Sequence, residues 1–280
     1  FYRSINFLET GIKPAFIFDG EPPALKRETI KQRIAERRKA EEAWQEALAE
    51  GDIRKAWSKA TRASRLTGKM IDDSKKLLNL LGIPCVQAPS EGEAQASYMV
   101  IRGLAYASAS QDFDSLLFGC PRLVRNLAIS GKRRLPRTNR FVSIEPEEIL
   151  LKDVLRTLGI SREQLVDIGI LMGTDYNRGI RGMGPKKSLS LIKKYGSIEA
   201  AVAAGKIERI ESLDELRTIF LSPNTCEVPE LKWGRIQRGE TLEFMCDVHS
   251  FSVDRIESAL DRVPEAPSAP ISTSLDRWMT

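Results

Sequence analysis

The segment Ser90-Glu91-Gly92-Glu93-Ala94 and the later segment Gln111-Asp112-Phe113-Asp114-Ser115 each contain two carboxylates that are two residues apart. The apolar interval between the segments predicts a helix followed by a strand. Arg102 is the one cation of this interval, set against four acids. Carboxylates that are brought together repel one another, and a fold tolerates them cheaply only if a cation is supplied from outside. The stretch therefore predicts a metal site within an α/β arrangement.

Local explanations compete with this hypothesis for each acid taken alone. Ser90 and Glu93 have the spacing of a capping box, in which each side chain bonds to the other's backbone amide. Glu91 would lie in the first helical turn, where the helix dipole favours an acid. Asp112 and Asp114 suit an Asx turn. None of these explanations accounts for acids that recur at consecutive strand ends.

A third acidic position comes earlier in the chain. The apolar run 14–18 is rich in aromatic and β-branched residues, which predicts a buried strand, and it ends in Asp19-Gly20. Open α/β sheets bind their ligands at the carboxyl ends of their strands. We therefore expect Asp19 to lie at the same edge as the acids that follow the next two strands.

The remaining pattern predicts an α/β core over residues 1–150, a helical region over 151–263 and a flexible Pro- and Ser-rich tail over 264–280. The core is expected to hold a mainly parallel central sheet flanked by helices. The strands are predicted at 14–18, 83–87, 104–110, 123–129 and 141–144. The helices are predicted at 2–10, 70–81, from 90 onward, at 147–158, 161–172 and 188–195, and through most of 197–262.

Two basic helices are predicted near the start, at 24–50 and 53–66. Their apolar faces are too thin for both helices to be packed into the core. One interpretation is a solvated helical hairpin. The other, favoured by the neighbouring acids, is an arm that contacts nucleic acid phosphates.

The composition of the 280 residues excludes several classes of protein. His249 is the one histidine, and the four cysteines form no C-x-x-C pair, which argues against histidine-based triads, zinc sites and a disulfide framework. No apolar run approaches the roughly 18 residues of a membrane span, and no signal-peptide pattern starts the chain. The sequence predicts a soluble intracellular protein with no membrane partner.

A glycine-rich turn precedes the helix predicted at 188–195. Gly182 and Gly184 free the backbone to approach a ligand, and Pro185 suits the first helical position. With Lys186 and Lys187 at the helix start, the turn is of the helix-hairpin-helix type that binds a nucleic acid phosphate. We assign the whole hairpin to residues 173–195.

The tail ends in apolar residues at Leu275, Trp278 and Met279. Flexible tails rarely finish with such anchors by chance. This spacing predicts a short helical docking peptide.

Taken together, these motifs resemble the flap endonuclease family of structure-specific 5′ nucleases, most closely its archaeal type. The resemblance covers nearly the whole chain. The motifs that carry it are Phe18-Asp19-Gly20-Glu21-Pro22-Pro23, Ala88-Pro89-Ser90-Glu91-Gly92-Glu93-Ala94, Asp112-Phe113-Asp114, Gly173-Thr174-Asp175-Tyr176 and Ile180-Arg181-Gly182-Met183-Gly184-Pro185-Lys186.

The resemblance implies a PIN-like 5′ nuclease core that hydrolyses DNA phosphodiesters with two Mg²⁺ ions, for which Mn²⁺ can substitute, in replication (Okazaki fragment processing) and repair. Lys26 and Arg33 match the two basic residues at the base of the family's helical arch, here 24–68, which contact the scissile phosphate. The implied metal ligands are Asp19, Glu91, Glu93, Asp112, Asp114 and Asp175.

The resemblance also implies partners. The substrate would be branched DNA with a 5′ flap, and the loop 176–184 would hold a monovalent cation against the downstream duplex. The peptide at Leu275, Trp278 and Met279 is similar to a sliding-clamp-binding motif, although Ser272 replaces its usual glutamine and Met279 its second aromatic residue. The expected location is the cytoplasm, or the nucleus in a eukaryote, and the expected state is a monomer.

Other interpretations stay open at this point. Family members carry a further N-terminal segment with the first strand of the sheet and another metal-binding aspartate, so the sequence is expected to be a fragment. A non-catalytic DNA-binding fragment is therefore the main alternative. A related 5′ exonuclease and a PIN-type RNase are the enzymatic rivals.

Overall fold

The computed structural model describes residues 1–49, 66–128, 131–134 and 141–264. The α-helices of these ranges are α1 (Tyr2–Glu9), α2 (Arg27–Ala49), α3 (Gly68–Leu80), α4 (Gly92–Ile101), α5 (Asp114–Leu117), α6 (Leu151–Leu158), α7 (Arg162–Met172), α8 (Pro185–Tyr195), α9 (Ile198–Ala203), α10 (Leu213–Leu221), α11 (Arg238–Leu242) and α12 (Val253–Leu260). A 3-10 turn at Ala24–Lys26 precedes α2, and a π-helical stretch at Glu243–Val248 follows α11. The strands are β1 (Phe16–Phe18), β2 (Cys85–Gln87), β3 (Ser108–Ala109), β4 (Arg122–Arg125), β5 (Gly131–Arg134), β6 (Phe141–Ile144) and β7 (Glu147–Leu150).

Two parallel strand pairs form the scaffold of the N-terminal half. β1 pairs with β2, with Phe16 opposite Cys85, and β3 pairs with β4, with Ser108 opposite Leu123. Two antiparallel pairs, β4 with β7 and β5 with β6, extend the described strands. The predicted α/β class is confirmed, but the expected mainly parallel central sheet is divided in the described residues into short groups of two, three and two strands.

The strand β7 corrects a prediction, because residues 147–150 were expected to begin a helix. Arg125 stands opposite Glu147 in the ladder and contacts it at 3.2 Å, and Arg122 contacts Glu148 at 2.7 Å. Opposite charges on paired strands favour pairing. These acids thus join the sheet through the arginines of β4, and the helix α6 starts only at Leu151.

A serine cap was predicted at two helix starts, and the structure contains one of them. Ser161 and Gln164 form the complete capping box of α7, so the predicted N-cap is confirmed. The capping box predicted at Ser90 is wrong. The helix α4 starts at Gly92, and the Ser90 hydroxyl instead donates to the carbonyl of Glu21 at 3.0 Å.

The two larger apolar clusters of the described residues hold most of the helices together. One is built around α7 to α10 and includes Ile170, Ile192 and Phe220, and the inner face of α4 packs against it through Ala94. The other joins α1, α3 and α12. Because α4 packs on the C-terminal helices, its first turn lies where the core and the helical region meet.

Residues 223–237 were predicted to be helical, but they form neither helix nor strand, and the segment returns to the core. The buried amide of Gln95 both donates to and accepts from the backbone of Cys226, each at 2.9 Å. The Trp233 indole donates to the carbonyl of Pro14 at 2.8 Å. Two prolines, Pro223 and Pro229, interrupt any helical pattern here.

Within the described ranges, none of the helices is long and apolar enough to cross a lipid bilayer.

The second helix predicted for the arch falls almost entirely outside those ranges. The predicted docking peptide at Leu275, Trp278 and Met279 also lies outside them.

A buried ion pair ties the helical region together. Asp167 of α7 is buried and receives two hydrogen bonds from the guanidinium of Arg217 on α10, each at 2.8 Å. The same carboxylate accepts the amide of Ile198 at the start of α9 at 3.2 Å. One buried carboxylate thereby joins three helices.

We expect Arg217→Met to lower the free energy of unfolding by about 3–5 kcal/mol, the usual cost of leaving a buried charge unpaired. Urea denaturation at pH 7 measures the effect. Arg156→Met is the matched control, because Arg156 forms an exposed pair with Asp153 that contributes less than about 1 kcal/mol. A loss in Arg217→Met no larger than that of the control would contradict this role.

Candidate functional site

The acids predicted at the strand ends come from three consecutive strand units. Asp19 directly follows β1, Glu91 and Glu93 lie at the start of α4 after β2, and Asp112 and Asp114 follow β3. The amide of Gly92 donates to Asp19 Oδ1 at 2.6 Å, which joins the end of β1 to α4. The Ser110 hydroxyl donates to the carboxylate of Glu93, which joins α4 to the end of β3.

Asp175 reaches the same place from the helical region. It lies in a turn after α7, where Thr174 and Asn177 bond to each other through backbone and side chains. The hydroxyl of Thr29 on α2 donates to the carbonyl of Asp175 at 2.7 Å. The turn that carries Asp175 is thus fastened to the first turn of the arch helix.

Lys26 and Arg33, predicted to contact phosphate, lie against the predicted metal ligands. The Lys26 ammonium is 2.7 Å from Glu91 Oε2 and 3.4 Å from Asp175 Oδ2. The Arg33 guanidinium is 2.7 Å from Asp175 Oδ1. The base of the arch therefore supplies the cations that offset part of the acidic charge.

Two of the remaining acids have raised pKa values. Burial, together with the nearby charges of Asp114, Asp112 and Asp19, raises the pKa of Glu93 to about 7, against the opposing hydrogen bond from Ser110. Burial also raises the pKa of Asp114, and the charges of Asp175 and Asp112 add to the effect. These carboxylates are close enough to repel one another, as the sequence pattern predicts.

Three residues of the site were not singled out from the sequence. Ser110 and Thr29 contribute the hydroxyls described above, and Tyr176 contributes a buried ring. The ammonium of Lys26 lies 5.7 Å from the centre of that ring, and Tyr176 packs edge-on against Phe220. Burial and the surrounding carboxylates raise the pKa of the Tyr176 phenol. Ser110 lies two residues before Asp112, and Tyr176 directly follows Asp175. This closeness in the sequence was the signal that could have identified both residues.

The donor chemistry of the cluster fits a hard divalent cation. All six side chains offer carboxylate oxygens, which Mg²⁺ prefers to nitrogen or sulfur ligands. In the described part of the chain, however, no three Asp, Glu, His or Cys side chains are already arranged around one point as the ligands of an ion. Glu91 contacts Lys26, and Asp175 contacts both Lys26 and Arg33, so these two carboxylates are paired with cations of the chain itself.

The Asx turn suggested for Asp112 is not the turn that forms. The amide of Asp112 donates to the Ser110 hydroxyl at 3.1 Å, so a serine side chain forms the turn in place of the expected Asx turn. Asp114 instead begins the short helix α5.

The predicted phosphate-binding turn forms a separate, exposed feature. Gly182 has a φ of +84°, a conformation that favours glycine, and Gly184 is the N-cap of α8, with Pro185 in its first turn. Lys186 and Lys187 are exposed in the first turn of the helix. Within the described residues, no hydrogen bond or ion pair joins these lysines to the acidic cluster.

Comparisons with known proteins agree with this fold. The XPG N-terminal domain family matches residues 1–40, and the XPG I-region family matches residues 82–175. The chain is 48% identical to flap endonuclease 1 of Pyrococcus abyssi over 99% of this chain and 80% of that protein. It is 47% identical to flap endonuclease 1 of Methanosarcina acetivorans over 99% of this chain and 81% of that protein.

Solved structures give the same result. The chain matches flap endonuclease-1 from Methanococcus jannaschii with a TM-score of 0.67 and 39% identity over 94% of this chain and 78% of that one. It matches the catalytic core of Rad2 in complex with DNA substrate with a TM-score of 0.69 over 94% of this chain and 82% of that one. At 22% identity, the second match supports the fold alone.

The fold and the matched regions define an α/β protein of the XPG class with an acidic cluster at its strand ends. The identity to the archaeal relatives is more specific. The chain belongs to the flap endonuclease family, and the predicted resemblance to its archaeal members is confirmed.

The raised pKa of Glu93 predicts a pH-dependent loss of stability when divalent cations are chelated. Below about pH 4.5 the carboxyl is protonated in both the folded and the unfolded chain, so it carries no penalty. As the pH rises from 4.5 to about 7, the unfolded chain releases the proton first, and the folded state loses relative stability.

We therefore expect Glu93→Gln to unfold with a higher free energy than the parent at pH 8, by on the order of 3 kcal/mol at most. The difference should vanish near pH 4. Denaturation in chelator at both pH values measures it, and Glu41→Gln, an exposed acid on α2, is the control. Equal stability of Glu93→Gln and the parent at pH 8 would refute the raised pKa.

Proposed function

We propose that this chain is a metal-dependent, structure-specific 5′ flap endonuclease and 5′–3′ exonuclease that hydrolyses DNA phosphodiesters in replication and repair. The observation that carries the proposal is the meeting of acids from four segments with Lys26 and Arg33 from the base of the arch. The names of the archaeal relatives support the same activity.

The six carboxylates, Asp19, Glu91, Glu93, Asp112, Asp114 and Asp175, would hold two Mg²⁺ ions, which Mn²⁺ could replace. When bound, the ions would supply an activated water and offset the charge of the reacting phosphate. The carboxylates themselves would serve as ligands and not as acid or base. The oxygen-only donor set and the mutual repulsion of the acids support this assignment.

Lys26 and Arg33 would contact the scissile phosphate. Both side chains lie against carboxylates that are also predicted ligands, so a phosphate brought to the cluster would meet them at once. Preorganised cations stabilise the negative charge of a phosphoryl transition state. The hydrogen bond from Thr29 to the Asp175 carbonyl would keep the arch helix in a fixed position relative to the site.

The turn before α8 would hold the duplex part of the substrate. Backbone amides at a helix N-terminus attract phosphate, and Lys186 and Lys187 add positive charge there. Gly182 and Gly184 would let a phosphate approach the backbone, and the loop 176–184 would bind a monovalent cation between protein and DNA. Branched DNA with a 5′ flap is the substrate that this division of roles suits.

The C-terminal residues Leu275, Trp278 and Met279 would bind a sliding clamp. Ser272 and Met279 depart from the pattern that such peptides usually show, so the clamp would be held weakly. The working unit on DNA would be a monomer.

The proposed ligand role of Asp112 predicts that Asp112→Ala abolishes cleavage. We expect the rate of cutting a labelled 5′-flap DNA in Mg²⁺ to fall by at least about 100-fold, the effect of disturbing a metal site. Binding to the same DNA in chelator should change little. Asp153→Ala removes an exposed acid on α6 and is the matched control.

Retained cleavage by Asp112→Ala would overturn the ligand assignment. Binding without cutting by the parent chain itself would instead favour the alternative of a DNA-binding module. Cutting and binding, measured separately on the same preparation of protein, therefore distinguish a nuclease from a DNA-binding module.

The phosphate contacts at α8 predict a change in salt dependence. The double variant Lys186→Ala/Lys187→Ala should bind flap DNA more weakly, and the slope of log affinity against log salt should fall by about 2. Lys206→Ala, at an exposed lysine beyond α9, should leave the slope unchanged. A double variant with the parent's slope would exclude these lysines from the interface.

A further inference from the structure

Ser110 occupies the junction between β3 and the loop that carries Asp112 and Asp114. Its own backbone amide donates to the carbonyl of Val124 on β4 at 3.2 Å. The residue therefore has a fixed position on the sheet, and its side chain starts from an anchored backbone.

The hydroxyl of Ser110 joins two of the acidic segments. It donates its proton to Glu93 Oε1 on α4, and its oxygen accepts the amide of Asp112 at 3.1 Å. A serine hydroxyl has one proton to donate and two lone pairs to accept with, so both bonds form together. The bond to the carboxylate is charge-assisted when Glu93 is ionised, which makes it the stronger of the two.

A second residue, Arg125 of β4, also contacts this loop. Arg125 Nε donates to the carbonyl of Gln111 at 3.2 Å, and its guanidinium lies 4.2 Å from the centre of the Phe113 ring. Arg125 is in turn paired with Glu147 across the sheet. Arg125 thus holds the backbone of the loop. Ser110 is the residue whose hydrogen bond fixes the loop relative to the Glu93 carboxylate.

Other hydroxyls nearby do not share this arrangement. Ser97 is buried on α4 and donates to the carbonyl of Glu93 at 2.7 Å, an ordinary contact one helical turn back. Thr29 donates to the carbonyl of Asp175. Among the described residues, Ser110 is the hydroxyl bonded to a carboxylate of the cluster.

We propose that Ser110 is a positioning residue of the metal-binding cluster: its hydroxyl orients the Glu93 carboxylate and holds Asp112 beside it, so that both act on the same cation. The inference rests on the proposed function, since it assumes that Glu93 and Asp112 are ligands. Removing a group that hydrogen-bonds to a metal ligand and orients it usually lowers metal affinity by about 10–100-fold. A serine that only stabilised the turn would change folding stability and leave metal affinity as it was.

The test measures Mn²⁺ binding to the whole chain without DNA, from the electron paramagnetic resonance signal of free Mn²⁺. Ser110→Ala should weaken binding by about 10-fold or more. Ser110→Thr keeps the hydroxyl and should restore binding. Ser97→Ala is the matched control, because it removes a buried serine hydroxyl that contacts Glu93 only through the backbone, and it should bind Mn²⁺ as the parent does.

The outcomes separate this inference from the proposed function. Asp112→Asn is measured in parallel, and if it binds Mn²⁺ as tightly as the parent, the cluster is not the metal site and both proposals fail. If Asp112→Asn loses binding while Ser110→Ala keeps it, only the role of Ser110 is overturned. Equal weakening in Ser110→Ala and Ser97→Ala, or no recovery in Ser110→Thr, also overturns it.

Discussion

The repulsion among carboxylates at one edge of the sheet is the constraint on which the rest of this structure depends. Burial alone raises the pKa of Glu93 and Asp114, and their acidic neighbours raise it further. A fold that gathers such groups must offset their charge or lose stability. The contacts of Lys26 with Glu91 and Asp175, and of Arg33 with Asp175, offset part of this charge.

Lys26 shows how the requirement links distant parts of the chain. Its ammonium contacts Glu91 of α4 and Asp175 of the helical region, and its own backbone leads into α2. One cation therefore joins the core, the helical region and the arch. A ligand that displaced Lys26 from Glu91 or Asp175 would also remove a contact that holds the turn before α2 against the site.

The sequence predicts the acids well because their placement follows from a simple rule. The expectation that ligand-binding residues follow the strands of an α/β fold places Asp19 and Asp112 in one group. Both lie near Glu93 in the structure, although β1 and β3 belong to separate strand groups in the described residues. Hydroxyl contacts follow no such rule. Ser90 has the spacing of a capping box, yet its hydroxyl bonds to Glu21, which lies 69 residues earlier in the chain.

The strand β7 escaped prediction for a related physical reason. Glu147 and Glu148 suit a helix start in isolation, and only the arginines of β4, more than twenty residues away, favour the extended form. The segment 223–237 is similar, since it is held by Gln95 and Gly82 and not by a pattern of its own. Tertiary contacts override local preference at these positions.

The chain offsets the charge of one buried acid completely but leaves three acids of the strand-end cluster without a cation, and the contrast bears on function. Asp167 receives both arms of Arg217 and a backbone amide, so its charge is offset permanently within the chain. Within the described residues, Asp112 and Asp114 form no ion pair, and Glu93 has only a neutral hydroxyl. A chain that can pair a buried acid so completely leaves these three unpaired, which keeps their oxygens available to a cation from outside.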